Sequence, residues 1–149
     1  MKTPLIIAVL TVLNVLSGCA STPDAGAPAR AYPAAMQQYG TLDIQAFRRS
    51  REIEFTNTTP RAFGKSTLWL NRRFAYDLAS IGVGETITLP LEAFVDENNE
   101  RFKAGGFFAG SIPDIIALAQ LETTTKEESV VGGGRPILLG LITVKAGAD

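Results

Sequence analysis

The residue types that carry most enzyme chemistry are scarce in this sequence. It contains one cysteine, Cys19, and no histidine, so the commonest general base and metal ligand is missing. Carboxylates such as Asp96, Glu97 and Glu100 remain, and two suitably spaced carboxylates can hydrolyse a glycosidic bond. These three cluster in a turn-like stretch, where acidic residues are usually only solvated. We predict no catalytic residue, no cofactor and no metal site, with a small carboxylate hydrolase or peptidoglycan-binding enzyme of the cell envelope as the alternative.

The single thiol stands at the end of an apolar run near the N-terminus. Lys2 supplies a positive charge, and residues 5–16 are apolar apart from Thr11 and Asn14. A membrane-spanning helix needs about 20 apolar residues, so this shorter run fits the central part of a secretory signal peptide. Sequence periodicity alone leaves open whether Cys19 is modified or simply follows an ordinary cleavage site.

The stretch Leu16-Ser17-Gly18-Cys19 resembles the lipobox of bacterial lipoproteins. The resemblance implies that the Cys19 sulfur receives a diacylglyceryl group, that a peptidase cuts between Gly18 and Cys19, and that the new amine is acylated. Several acyl chains hold a protein stably in a bilayer, whereas one chain binds only reversibly. Because Ala20 rather than Asp follows the cysteine, the resemblance implies an outer-membrane anchor with the domain facing the periplasm. In a cell without an outer membrane, it implies the outer face of the plasma membrane.

Composition divides the chain into three segments. Residues 1–18 are the predicted signal peptide, residues 19–37 the lipidated N-terminus and a flexible linker, and residues 38–149 the folded domain. The linker is rich in Ala, Pro and Gly, a composition that favours extended and solvated backbone. The whole chain has 14 Lys and Arg against 15 Asp and Glu, without the concentrated basic charge of nucleic-acid-binding proteins.

Apolar residues in the domain alternate mostly with a period of two, which is typical of β-strands. Residues 51–56 and 85–91 follow this pattern, and Pro90 places the second of these strands at an edge or at its own end. Residues 137–144 are apolar on both faces and rich in branched side chains, which predicts a central or doubly covered strand. The run 101–109 is read as a further extended segment.

Turn signals separate these runs. Asn71-Arg72 is predicted to be the tip of a hairpin between residues 68–70 and 74–76, because asparagine tolerates a positive φ. Residues 96–99 (DENN) predict a second turn. Residues 115–121 are rich in Ala and Leu, so a strand and a short helix both remain open there.

Six to eight short runs between turns predict an all-β fold, a β-sandwich of about seven strands rather than an alternating α/β sheet. A strand that ends in Asn-Thr-Thr, the segment LWLN, and a Gly-x-Gly-Glu-Thr turn before an alternating strand follow one another within residues 51–102. In these features the segment resembles Ig-like modules of small exported bacterial proteins. The resemblance implies an Ig-like antiparallel β-sandwich and brings no catalytic residues with it.

One stretch imitates a nucleotide-binding motif. Gly64-Lys65-Ser66 ends like a phosphate-binding loop, but Thr59 stands at the position of the first glycine. The motif also needs a helix after it, whereas LWLN predicts a strand. We therefore expect no nucleotide. The sequon at Asn57 is interpreted as a turn between strands.

Exposed aromatic and basic residues supply the candidate binding surface. Gly105-Gly106 predicts a bulge or a close backbone approach before Phe107-Phe108, with one of the two phenylalanines facing outward. The candidate surface comprises Trp69, Arg72, Arg73, Tyr76 and Phe107. We expect a non-catalytic binding or envelope-assembly module that is anchored in the bilayer through Cys19 and contacts an envelope protein.

Overall fold

The computed structural model describes residues 30–107, 109–124 and 134–144, and the lipobox with Gly18 and Cys19 lies outside them, as does Phe108. The described residues contain seven strands and one turn of 3-10 helix at Leu91–Ala93. The strands are β1 (Gln38–Arg49), β2 (Glu52–Thr56), β3 (Ser66–Leu70), β4 (Phe74–Leu78), β5 (Thr86–Pro90), β6 (Ala119–Thr124) and β7 (Pro136–Val144).

The strands form one mixed sheet in the order β4-β3-β6-β7-β1-β2-β5. Strands from both ends of this order bury side chains in a single core, so the sheet curls over itself. This gives the β-sandwich-like all-β architecture that the sequence predicts. One side of the curled sheet comprises β1-β2-β5, and the other comprises β7-β6-β3-β4.

The long strand β1 joins the two sides. Its pairing with β7 runs from Gln38 to Phe47 and its pairing with β2 from Ala46 to Arg49, so residues 46 and 47 pair with both strands. Two register irregularities within the β1–β7 ladder, at Gln38/Gly40 and Thr41/Gln45, bend the strand, as bulges do. The β1–β7 pair is parallel while the other five pairs are antiparallel. The predicted all-antiparallel pairing is therefore corrected for this pair, in which the first and last strands run in the same direction.

Inward-facing side chains from every strand build the core. Phe55 on β2, Leu68 on β3 and Leu121 on β6 are at most 1% exposed. The rings of Phe74 and Phe102 pack edge to face with centroids 5.2 Å apart, a favourable aromatic geometry. Burial of this large apolar surface drives the curling of the sheet.

The hairpin between β3 and β4 forms at the predicted position. Asn71 and Arg72 have φ values of 54° and 56°, which is the pattern of a type I′ turn, and Arg73 N–H donates to the Leu70 carbonyl at 3.0 Å. The edge position of β5, which ends at Pro90, is also confirmed. So is the central position of β7 between β6 and β1.

Two segments differ from the sequence interpretation. Residues 115–118 have no regular structure, and β6 begins only at Ala119, so neither a helix nor a strand spans 115–121. The extended run expected at 101–109 reduces to one bridge between Val95 and Arg101. Its glycines take positive φ values, 80° at Gly105 and 142° at Gly106, which turn the chain out of an extended path.

The outer face of the sheet, opposite the core, carries a second apolar cluster. Trp69 and Leu138 are completely buried there beneath Tyr32 and Met36. These two covering residues belong to the segment that composition assigns to the linker. Residues 30–37, named the strap from here on, therefore lie against the folded domain.

Candidate binding surface

A long loop between Phe102 and β6, residues 103–118, is fixed at its base by charged side chains. The Arg48 guanidinium donates to the carbonyl of Ala104 at 2.6 Å and to the carbonyl of Asp114. The Lys103 N–H donates to the Asp114 carboxylate at 2.8 Å, and the Asp114 N–H donates back to the Lys103 carbonyl at 2.9 Å. The two limbs of this apical loop are therefore clamped together.

The end of the apical loop that leads into β6 is held by the hairpin residue Asn71. Its side-chain oxygen accepts hydrogen bonds from the N–H groups of Ala117 at 2.9 Å and Leu118 at 3.2 Å. Its amide nitrogen donates to the Ile115 carbonyl at 2.6 Å. The left-handed backbone at Asn71 thus directs its side chain toward three backbone groups of the loop. These hydrogen bonds join the hairpin to the loop.

The two limbs of the loop also pack against each other close to the base, at a glycine. A Cβ atom on Gly105 would lie 2.7 Å from the Pro113 ring, closer than such atoms come in proteins. This close approach, together with the positive φ of Gly105, is the kind of position that only glycine fills without strain. The close backbone approach expected from the glycine pair is confirmed.

Three large apolar side chains project from this fixed loop into solvent. Phe107 is 96% exposed, Ile112 88% and Ile115 73%. No charged residue occurs between Lys103 and Asp114. These three side chains, named the apical surface, combine apolar exposure with a backbone fixed at both ends.

The sequence-predicted surface residues are separated by the fold. Trp69 is buried under the strap, so it is wrong as part of an exposed surface. Phe107 is fully outward, and Arg72 stands exposed at the hairpin tip beside Asn71. Ile112 and Ile115 were missed, although the run of small uncharged residues at 109–111 before Ile112 could have flagged an exposed loop.

Tyr76 points into the core instead of outward. Its ring lies 5.3 Å from that of Phe94, and its buried hydroxyl has no hydrogen-bond partner among the described residues. Burial raises the pKa of this hydroxyl. Tyr76 therefore contributes packing to the core and no contact to the apical surface.

Arg73 belongs to an ion-pair network that fixes the second predicted turn. It donates to the Asp96 carboxylate at 2.9 Å and also pairs with Glu100. The Asp96 side chain is 2% exposed and accepts two further hydrogen bonds, from the N–H groups of Asn98 at 2.9 Å and Glu100 at 2.8 Å. The predicted turn at 96–99 is present, with Asn99 at φ 62°.

Opposing effects set the pKa of Asp96. Burial alone would raise it, but the hydrogen bonds from Arg73 and from the Glu100 and Asn98 backbone together outweigh burial and lower the pKa. The hydrogen bond to Asp96 in turn raises the pKa of Arg73. The network thus holds this carboxylate ionised, which suits a structural role.

A cavity of about 310 Å³ lies at the opposite end of β3 and β6. Lys65 and Ser66 line it, but β3 begins at Ser66 where a phosphate-binding loop would need a helix. Across the cavity, Thr67 donates to the Asp77 carboxylate at 2.7 Å, and Glu122 pairs with Arg30. These lining groups therefore bind one another.

The sequon asparagine is a structural residue. Asn57 is completely buried, and its amide nitrogen donates to the carbonyls of Arg61 at 2.8 Å and Gly82 at 2.9 Å. Its side-chain oxygen accepts from the Thr59 N–H at 3.1 Å. Both donor hydrogens are used, so the residue holds the predicted turn together.

Within the described ranges, no group of three or more acidic, cysteine or histidine residues is arranged to hold a metal ion. No helix among those residues is both long and apolar enough to span a membrane. No protein-family model matches the chain, and neither a curated protein nor a solved structure is similar to it.

Proposed function

We propose that this protein is a lipid-anchored component of the bacterial cell envelope whose β-sandwich domain binds a partner protein without catalysis. Acylated Cys19 holds it in the outer membrane, and the domain faces the periplasm. In a cell with a single membrane, the same anchor places it on the outer face of that membrane. The support for the anchor is the lipobox-like sequence at residues 16–19 behind a short apolar run.

The binding role is supported chiefly by the apical surface. Apolar side chains exposed on a mobile loop would lose much of their binding energy to the cost of ordering that loop. Here Arg48, Asp114 and Asn71 already hold both ends of the loop, which reduces the ordering that binding requires. Exposed apolar side chains with a polar rim are typical of protein interaction sites. Two exposed charged residues, Lys103 at one end of the loop and Arg72 at the hairpin tip, are candidates for such a rim.

The state of Asp96 favours binding over hydrolysis. A glycosidase needs one carboxyl group whose pKa is raised, so that it can donate a proton. The network around Asp96 has the opposite effect, because it lowers the pKa and uses both carboxylate oxygens. This carboxylate is therefore committed to the fold.

The anchor is tested by fractionation of Cys19→Ala beside the wild-type protein, with mass spectrometry of the mature N-terminus. We expect the wild type in the membrane fraction with an acylated Cys19, and the variant as unprocessed, unacylated precursor. An unmodified thiol on the mature wild-type protein would overturn the anchor.

The binding surface is tested by an Ile112→Glu exchange in the full lipidated chain. A charge in the apical surface should weaken partner association at least tenfold, because it would have to be desolvated in an apolar contact. Val83 is also apolar and exposed, but lies in a separate turn, so Val83→Glu is the matched control. Equal association of wild type, Ile112→Glu and Val83→Glu would contradict this assignment.

A further inference from the structure

We propose that the strap, residues 30–37, is a releasable clamp that docks on the outer face of the sheet and shortens the tether between Cys19 and the domain. The inference rests on the lipid anchor proposed above. It assigns to the last part of the linker a defined position and a mechanical role: docking keeps the domain near the bilayer, and release allows it to reach a more distant partner.

Aromatic and cationic groups hold the strap on the sheet. The Tyr32 ring meets Trp69 edge to face, with centroids 5.4 Å apart and planes at 89°. The Arg30 guanidinium lies 5.1 Å from the centre of the same indole ring and pairs with Glu122. Met36 packs against the same apolar cluster. Trp69 is thus the common contact of Arg30 and Tyr32, and Met36 packs on the apolar cluster to which this tryptophan belongs.

Hydrogen bonds between side chains extend the docking site. The Tyr32 hydroxyl donates to the Gln120 side-chain oxygen at 3.0 Å, and the Gln120 amide donates to Gln38 at 2.7 Å. Gly140 leaves the space for Gln38, since a Cβ there would lie 2.6 Å from the Gln38 amide nitrogen. The sheet face therefore has a shape and a set of polar partners that match the strap and the residue following it.

The strap can leave without breaking the sheet. Its described backbone hydrogen bonds, Ala34 N–H to Tyr32 and Met36 N–H to Pro33, are both internal to it. The ladder with β7 begins only at Gln38. Release therefore breaks only side-chain contacts. The strap can open locally while the sheet stays folded.

The face beneath the strap is also suited to intermittent exposure. The Trp69 indole N–H donates to the Glu122 carboxylate at 2.8 Å, so it keeps an acceptor on the sheet when Arg30, which pairs with the same carboxylate oxygen, leaves with the strap. The polar atoms of Gln120 that face Tyr32 can bind water once the strap has left. A purely apolar face would be a far stronger aggregation site when uncovered.

The position of the strap sets an upper limit on how far the domain can stand from the membrane. The chain takes eleven residue-to-residue steps from Cys19 to Arg30 and nineteen from Cys19 to Gln38. At full extension of about 3.5 Å per residue, these lengths correspond to about 40 Å with the strap docked and about 65 Å with it released. Release thus adds roughly 25 Å of reach.

The test compares Tyr32→Ala with Tyr39→Ala, both in full lipidated protein on phosphatidylethanolamine–phosphatidylglycerol vesicles. Tyr39 is 81% exposed and serves as the matched tyrosine control. Trypsin can cut the peptide bond after Arg30 once the strap has left the sheet. This cut separates the domain from its lipid. We expect domain release to be at least tenfold faster in Tyr32→Ala, while Tyr39→Ala behaves like wild type.

A second readout measures distance. The native thiol is acylated, so Thr88→Cys on the exposed edge strand accepts a single dye. Energy transfer from this dye to acceptor lipids should fall in Tyr32→Ala and stay at the wild-type level in Tyr39→Ala. Equal trypsin rates and equal transfer in all three proteins would overturn the clamp while leaving the anchor intact. Failure of the wild type to remain on vesicles would instead overturn the proposed function.

Discussion

Two surfaces of this domain each carry an aromatic residue that the sequence predicts to be exposed. In the structure, one of these two residues is buried and the other is exposed. Trp69 on the outer face is completely buried beneath the strap, whereas Phe107 on the apical loop is 96% exposed. Side-chain hydrogen bonds contribute to both regions. The difference teaches that the chain covers one apolar surface with its own N-terminal segment and leaves the large apolar side chains of the other exposed.

The sharpest test of this difference is truncation of one aromatic residue on each surface. Trp69→Ala should lower the free energy of unfolding by about 3–5 kcal/mol, because a large buried side chain is lost from a packed site. Phe107→Ala should change it by less than about 0.5 kcal/mol, as surface exchanges usually do. Urea denaturation of the two variants measures both values. Similar losses would mean that the two surfaces do not differ in the way described.

A smaller effect on stability is expected when one glycine in each of the two regions is replaced by alanine. Gly140→Ala should lower the free energy of unfolding by about 1 kcal/mol, because the new Cβ displaces Gln38 from its hydrogen bonds. Gly110, in the apical loop, has open space around the position of a Cβ, so Gly110→Ala should stay within about 0.5 kcal/mol of wild type. Thermal unfolding distinguishes the two. A neutral Gly140→Ala would mean that the contacts of Gln38 do not stabilise the covered face.

The last effect is a loss of stability at acid pH. It arises in the ion-pair network at the hairpin beside the apical loop. The folded-state pKa of Asp96 lies below its ordinary value of 3.8, so its ionised form stabilises the fold. This contribution is complete well above pH 3.8 and disappears as the pH falls through the lower folded-state pKa. Wild type should therefore be more stable than Asp96→Asn at pH 7, with a difference that shrinks towards pH 2. A difference independent of pH would contradict the role of the ionised carboxylate.

Local signals in the sequence predicted the parts of the fold that depend on neighbouring residues. Asn71 marked the hairpin, Pro90 marked the edge strand, and the doubly apolar pattern of 137–144 marked the central strand. Each of these follows from backbone preference or from periodicity within a few residues. The glycine pair at 105–106 likewise predicted the close approach within the apical loop.

Contacts between distant residues were beyond local signals. Arg48 clamps residues 104 and 114, and Asn71 orders residues 115–118; neither interaction is encoded in a short pattern. The strap was read as linker because its Ala and Pro content outweighed the two large side chains, Tyr32 and Met36. Those two residues were the available signal, and they are the ones that bury Trp69.

The most direct measurement of the central claim is photocrosslinking in the native envelope, with a photoreactive amino acid at position 112 or position 83 of the lipidated protein. Both positions are exposed and apolar, but only Ile112 belongs to the apical surface. We expect a discrete adduct with one envelope protein from position 112 and none from position 83. The same adducts from both positions, or crosslinks from position 112 to lipid alone, would contradict a protein-binding apical surface.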